Sequence, residues 1–262
     1  MGLIWLVERE CYKHNQNRLI EAIENNGLKW IEWKDSFWNF PKKFENQPMI
    51  FHGSLETACR LSQIPSFKPG SFCNDRAFDC KTYYNFLQKY LLNDTWNFIS
   101  LVEFVNNPDI YLSKLGIKDK FFARPTSCLK HFSGRILNRQ NLSFESFDYG
   151  YYYDNPNIDI LLNPVKKVLE EYRFIVVDNQ VITGCQYSSE NREGLNIKPE
   201  KYIYDYINGV VNNIEAPESL YVMDVCNTPE GLKVIELNPF SGADLYSCNL
   251  NKLVQILSEK FK

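Results

Sequence analysis

Histidine is scarce in this chain and paired cysteine motifs are missing. Only three His occur, at 14, 52 and 131, and none of the eight Cys stands in a C-x-x-C pair. Zinc centres are built from closely spaced imidazoles and thiolates, so the sequence argues against one. It also offers no convincing Ser–His or Cys–His set for nucleophilic catalysis. The opening apolar run, LIWLV at 3–7, is followed at once by Glu8, Arg9 and Glu10. A membrane span needs about twenty such residues, so this run reads as neither a span nor a signal peptide. The expectation is a cytoplasmic protein with reduced, mostly buried thiols. Long basic runs are absent and the net charge is −3. That argues against binding nucleic acid by charge alone, although a local patch stays open. Neither an internal repeat nor a low-complexity segment is present.

What remains is ordinary globular material. The 262 residues are 44% hydrophobic and 23% charged, enough for a sizeable core split into two or three lobes. Sixteen Tyr and eighteen Phe are many, and they read as core and pocket residues rather than as base-stacking platforms. Strand 3–7, helix 14–26, strand 28–33, strand 48–51 and the helix LETACRLSQI, capped by Ser54, open an α/β lobe. Residues 81–92 and 99–106 have helical spacing. Strands are expected at 120–123, after Gly134 and at 158–162. A hairpin is expected at 171–187, turning at Asp178-Asn179-Gln180. The polar stretch 188–200 reads as a mobile loop, 202–211 as a helix, and 250–261 as the closing helix.

The segment Tyr221 to Asp244, YVMDVCNTPEGLKVIELNPFSGAD, carries the chemistry. It reads as a hairpin with a three-residue loop, Pro229-Glu230-Gly231. Thr228 then pairs with Leu232, and Asp224 falls opposite Glu236. Side chains alternate along a strand, so Asn238 shares the face of Glu236 and Asp224 joins them across the pair. Tyr221, Met223, Val225, Ile235 and Leu237 take the core face. Three oxygen donors on one face suit a hard cation such as Mg²⁺ held against phosphates. A solvent-facing hairpin with the same residues would mean nothing. A two- or four-residue loop would put the two carboxylates on opposite faces.

In order along the chain stand Phe122-Ala123-Arg124-Pro125, a glycine-containing loop with Lys130, the strand EYRFIVV at 171–177, Asp224, and Glu236-Leu237-Asn238-Pro239. This series resembles the ATP-grasp superfamily of ATP-dependent carboxylate–amine ligases, and a small, partly phage-borne clade within it. FHGSL at 51–55 and PGSFCND at 69–75 look like that clade's N-terminal lobe. The resemblance implies an ATP-grasp fold, two α+β lobes clamping ATP, preceded by a small Rossmann-like α/β lobe. The lobes would be 1–95, 96–165 with the phosphate loop, and 166–262 with the metal site.

The resemblance also implies roles. Arg124 stands where many members have a Lys that reaches the ATP phosphates, and Lys130 lies in the loop that folds over them. Leu161–Val165, with Leu162 and Val165, would be the linker against which adenine rests. Glu171 is similar to the residue that accepts the ribose hydroxyls, with Glu170 as its alternative. Arg173 resembles the Arg that stabilises the transferred phosphoryl group, and Asp224, Glu236 and Asn238 match the ligands of Mg²⁺, two ions by the family pattern. Lys198 and Lys201 stand near the mobile loop. The implied reaction is ADP-forming C–N (or thiol) ligation through an acylphosphate. Small-molecule or peptide carboxylates and amines would be the substrates. A phosphotransferase on the same lobes, or a non-catalytic nucleotide-binding module in phage–host conflict, is the alternative.

Overall fold

The computed structural model describes residues 2–34, 47–140, 142–147, 157–187 and 197–261. Residues 188–196 of the loop expected at 188–200, and residues 148–156, lie outside the described residues. The chain forms two compact units, Met1–Asn74 with Leu169–Lys262, and Asp75–Val168. Residues 75–95 group with the second unit, not with the first sheet.

In the first unit, β1 (Ile4–Val7), β2 (Lys29–Glu32), β3 (Met49–His52) and the two-residue β4 (Pro69–Gly70) form a parallel sheet in the order β2-β1-β3-β4. Helix α1 (His14–Asn25) covers one face, placing Leu19 and Ile23 with Trp5 and Val7. Helix α2 (Leu55–Ser62) covers the other, placing Ala58 and Leu61 with Ile4, Leu6 and Phe51. Because both faces are buried, β1 is a continuous apolar run with no alternation. The Ser54 hydroxyl caps α2 by accepting from the Thr57 N–H at 3.4 Å, as the sequence suggests.

The second unit holds an antiparallel sheet of β5 (Asn97–Ser100), β6 (Lys120–Pro125), β7 (Arg135–Asn138) and β8 (Asp159–Pro164), in the order β5-β8-β6-β7. Helices α3 (Cys80–Leu87), α4 (Leu101–Asn106) and α5 (Pro108–Lys114) belong to it. Phe104 meets Phe121 and Phe147 edge-on, at 5.4 and 6.0 Å between ring centroids, in its core. The helix expected at 99–106 starts two residues late. Asn97–Ser100 pairs with β8 instead, and Ser100 then caps α4 by accepting from the Glu103 N–H at 3.2 Å. The first-turn Pro108 of α5 marks a helix start that the sequence reading passed over.

Returning to the first unit, β9 (Glu170–Val177), β10 (Gln180–Tyr187), β11 (Leu220–Thr228) and β12 (Gly231–Pro239) make an antiparallel sheet in the order β10-β9-β11-β12. Helix α6 (Lys201–Val211) sets Tyr204 edge-on to Phe174 at 5.2 Å. Helix α7 (Leu250–Lys260) joins Ile175, Val177 and Val222 in the core that also takes α1. The β9–β10 turn is one residue shorter than expected. Val177 pairs with Gln180, so Asp178 and Asn179 alone form the loop, with φ of 45° and 58°. Two central residues at positive φ match the twist of paired strands, and Asn and Asp tolerate them.

The β11–β12 hairpin corrects the sequence reading twice, and the two corrections cancel. Thr228 pairs with Gly231, so the loop is Pro229-Glu230 and not three residues. The Thr228 hydroxyl closes it, accepting from the Glu230 N–H at 3.1 Å and donating to the Gly231 carbonyl at 2.8 Å. A bulge between Asp224 and Val225 then inserts Ile235, because Val225 pairs with Val234 while Asp224 pairs with Glu236. A bulge adds one residue to one strand, which restores the facing of everything beyond it. Val234 is therefore buried on the core face where Ile235 was expected, and Ile235 is half-buried.

Gly184 on β10 lies opposite Phe174, and a Cβ there would sit 2.3 Å from two carbons of the ring. Gly184→Ala is expected to lower stability by about 1–3 kcal/mol through overpacking, read as a fall in the urea midpoint. An unchanged midpoint would mean that the ring gives way freely.

Candidate metal and phosphate centre

Strand register builds the centre. Cys185, Arg173, Asp224 and Glu236 are successive partners across β10, β9, β11 and β12, so they line one row of one face. Asn238 lies in the next row, opposite Val222, and Glu171 in the row on the other side, opposite Tyr187 and Cys226. The three expected oxygen donors do converge, although the loop reading behind that expectation was wrong.

The contacts run as a chain. Arg173 Nε donates to Asp224 Oδ1 at 2.8 Å and Nη2 to Oδ2 at 2.6 Å, a bidentate pair. Arg173 Nη1 donates to the Asp244 carbonyl at 2.6 Å. The Asn238 amide nitrogen donates to Asp224 Oδ2 at 3.0 Å and to Glu236 Oε1 at 2.9 Å, so one amide group draws the two carboxylates together. Asp224 is 1% exposed, Asn238 4% and Arg173 6%, while Glu236 is half-buried. Burial works to lower the Arg173 pKa, but the charge and hydrogen bonds of Asp224 outweigh it and hold the guanidinium protonated.

Two rings lie beside the arginine. The guanidinium carbon lies 4.7 Å from the Tyr246 ring centre and 5.7 Å from that of Tyr187. These rings stack on each other at 4.8 Å and 15°. The Tyr187 hydroxyl donates to Glu171 Oε2 at 2.7 Å. Burial raises the Glu171 pKa, the Tyr187 bond opposes that, and Asp224 and Glu236 push it up further. Burial likewise raises Asp244, whose Oδ1 accepts from Asn15 at 2.9 Å and from the Tyr246 N–H at 3.0 Å.

Two carboxylates and an amide, all hard donors, fit a hard divalent ion and do not fit zinc. Among the described residues no three His, Cys, Asp or Glu gather around a single point. Two carboxylates and one amide supply only part of the oxygen shell of such an ion and do not make a self-contained cage.

A family model, an ATP-grasp domain of clade family 2, matches residues 109–256. The chain belongs to this ATP-grasp family. Solved structures agree on the fold. D-cycloserine synthetase DcsG matches with a TM-score of 0.65 and 12% identity over 100% of both chains. The D-alanine–D-alanine ligase of Bacillus anthracis, complexed with ATP, matches with a TM-score of 0.63 and 12% identity, covering 100% of this chain and 96% of that one. The ATP-grasp ligase PsnB complexed with its minimal precursor matches with a TM-score of 0.58 and 12% identity over 100% of both chains. No curated protein sequence matches. The mixed α and β fold with several sheets is that of ATP-grasp ligases.

The other expected ATP-grasp residues lie in the second unit. Arg124, 6% exposed on β6, pairs with Leu161 of β8, and its Nε donates to the Pro125 carbonyl at 3.3 Å. Lys130 is exposed in the following loop at φ 51°, and its N–H donates to the Ser127 carbonyl at 3.3 Å. Gly134 lets that loop lie close to β6, because a Cβ there would be 2.8 Å from the Phe122 ring and 3.4 Å from Arg124 Cβ. The linker expected at Leu161–Val165 is strand as far as Pro164. Leu162 is fully buried between Asn97 and Ala123, so neighbouring strands pair with it on both sides. Val165, 40% exposed, is the first residue past the strand. In the first unit, Lys201 pairs with Asp205 at 2.5 Å on the exposed side of α6.

Tyr187, Tyr246 and the Asp244 carbonyl were not foreseen. For Tyr187 a signal existed, since it lies two residues from Cys185 on the strand facing Arg173. For Tyr246, in the irregular stretch before α7, none did.

Breaking a buried ion pair from one side leaves an uncompensated charge, which costs about 3–5 kcal/mol. Arg173→Met is expected to cost that much in urea unfolding, and Arg173→Met with Asp224→Leu to recover part of it. A double-mutant coupling below about 1 kcal/mol would contradict the pairing.

Proposed function

We propose that this protein is an ATP-dependent carboxylate–amine ligase that works through an acylphosphate. The observation that carries the reading is the buried chain Arg173–Asp224–Asn238–Glu236. Three oxygen-bearing side chains are drawn together beside a fixed cation, in a family whose solved relatives include ligases.

A substrate carboxylate oxygen attacks the γ-phosphorus of ATP, its bond to the β–γ bridging oxygen breaks, and ADP leaves. The acylphosphate then takes an amine at its carbonyl carbon, phosphate leaves with the bonding electrons, and the amine nitrogen loses a proton. Asp224, Glu236 and Asn238 would hold Mg²⁺, two ions by the family pattern. When bound, these would offset charge building on the phosphoryl oxygens. Arg173 bears on that same charge, fixed in advance by Asp224 and the Asp244 carbonyl, so no reorganisation is needed as the charge develops. Lys130 and Arg124 are assigned to the phosphates. Arg124 keeps the charge of the more common Lys and adds a planar fork. Val165 is assigned to adenine and Glu171 to the ribose, while Leu162, expected beside adenine, lies buried and paired with strands on both sides. The Tyr187 hydroxyl donates to Glu171 and orients its carboxylate, which supports a fixed acceptor there. Small-molecule or peptide carboxylates and amines are the substrate class.

Glu236→Gln is expected to abolish Mg²⁺-dependent ADP release, measured with pooled amino acids and amines, while leaving the melting temperature near that of the wild type. Normal turnover in the variant would remove the metal assignment. Lys130→Ala is expected to weaken nucleotide binding far more than Lys201→Ala by calorimetry, and equal effects would remove the phosphate role of Lys130.

A further inference from the structure

Arginine side chains carry five N–H donors in one plane. Three on Arg173 are taken, two by Asp224 and one by the Asp244 carbonyl. Two have no partner among the described residues, at a side chain only 8% exposed. A buried guanidinium with two uncommitted donors is equipped for a ligand oxygen, provided that its plane is held. The three bonds act in the plane. Beside the group lies the Tyr246–Tyr187 stack, its ring centres 4.7 and 5.7 Å from the guanidinium carbon.

The stack is itself fixed at both ends. Tyr187 is tied through its hydroxyl to Glu171. The Tyr246 N–H donates to Asp244 Oδ1, and its carbonyl accepts from Arg18 Nη1. Tyr246 sits at φ 43°. A bulky side chain at positive φ is an outlier that persists only where its surroundings over-determine it, and such residues gather at functional sites.

We propose that Tyr246, backed by Tyr187, is a positioning residue that sets the guanidinium plane of Arg173 so that its two uncommitted N–H groups meet the γ-phosphoryl group. This rests on the ATP-dependent reading above.

The test is calorimetry on the full chain with Mg²⁺, comparing ADP with the non-hydrolysable analogue AMPPNP. Wild type is expected to prefer AMPPNP, because only it offers a γ-phosphoryl group. Tyr246→Leu is expected to lose about tenfold or more of that preference, since misplacement by about 1 Å can cost on the order of a hundredfold, with ADP affinity nearly unchanged. Tyr246→Phe, which keeps the ring, is expected to retain the preference. A purely structural role would weaken both nucleotides alike and would not distinguish Leu from Phe. If Tyr246→Leu discriminates as well as wild type, the positioning role is overturned while the nucleotide reading stands. If wild type binds neither nucleotide, that reading falls and the proposal with it. Should Tyr246→Leu fail to fold, Tyr187→Leu replaces it with the same expected loss, and retained preference there overturns the proposal equally.

Discussion

A guanidinium and a carboxylate buried together in one sheet face, Arg173 and Asp224, set the terms for the rest of the centre. Removing two such charges from water costs several kcal/mol per ion, and their attraction recovers this only with good geometry. The geometry here is bidentate, at 2.8 and 2.6 Å. Even so, a pair of this kind stabilises a fold no more than well-packed apolar residues of similar volume. Its place is better explained by what it presents. A cation is held rigidly in low dielectric next to Glu236 and Asn238, which on the proposed reading is where it would best stabilise charge developing on a phosphoryl group.

The scaffold concentrates its fixings on the residues just past β12. The Gly53 N–H donates to the Ser241 carbonyl at 2.8 Å, Ser241 Oγ accepts from the Phe72 N–H at 2.9 Å, and Tyr12 donates to the Gly242 carbonyl at 2.7 Å. A Cβ on Gly242 would lie 2.3 Å from Leu55 Cδ2, so only glycine lets α2 come this close. The parallel sheet thereby ties down the stretch from Phe240 to Asp244, and its Asp244 carbonyl in turn holds Arg173. Side chains held on a rigid sheet and tied down by neighbouring segments keep their positions within a narrow tolerance, as the proposed phosphoryl transfer would require.

Much of this was legible in the sequence, and the exceptions have physical causes. Alternation along one strand put Glu236 and Asn238 on one face whatever the loop length, while placing Asp224 with them depended on register. The bulge at Ile235 was not legible, since one extra residue leaves no compositional mark. Only its cancellation against the shorter Pro229-Glu230 loop preserved the right pairing. Strand β5 was hidden because Ser100 ends a strand and caps a helix with no intervening turn residue. The aromatic support of Arg173 depends on which rings tertiary packing brings together, and nothing around Tyr246 announces that. Leu162 shows the reverse limit. A family pattern marked it for adenine, while the backbone reveals a central strand residue paired on both sides.

The most direct test of the centre is a crystal structure with AMPPNP and Mn²⁺, located by anomalous scattering. Manganese at coordination distance from Asp224, Glu236 and Asn238, with the Arg173 guanidinium on the γ-phosphoryl oxygens, is the predicted result. Nucleotide bound with its metal away from those three side chains would contradict it.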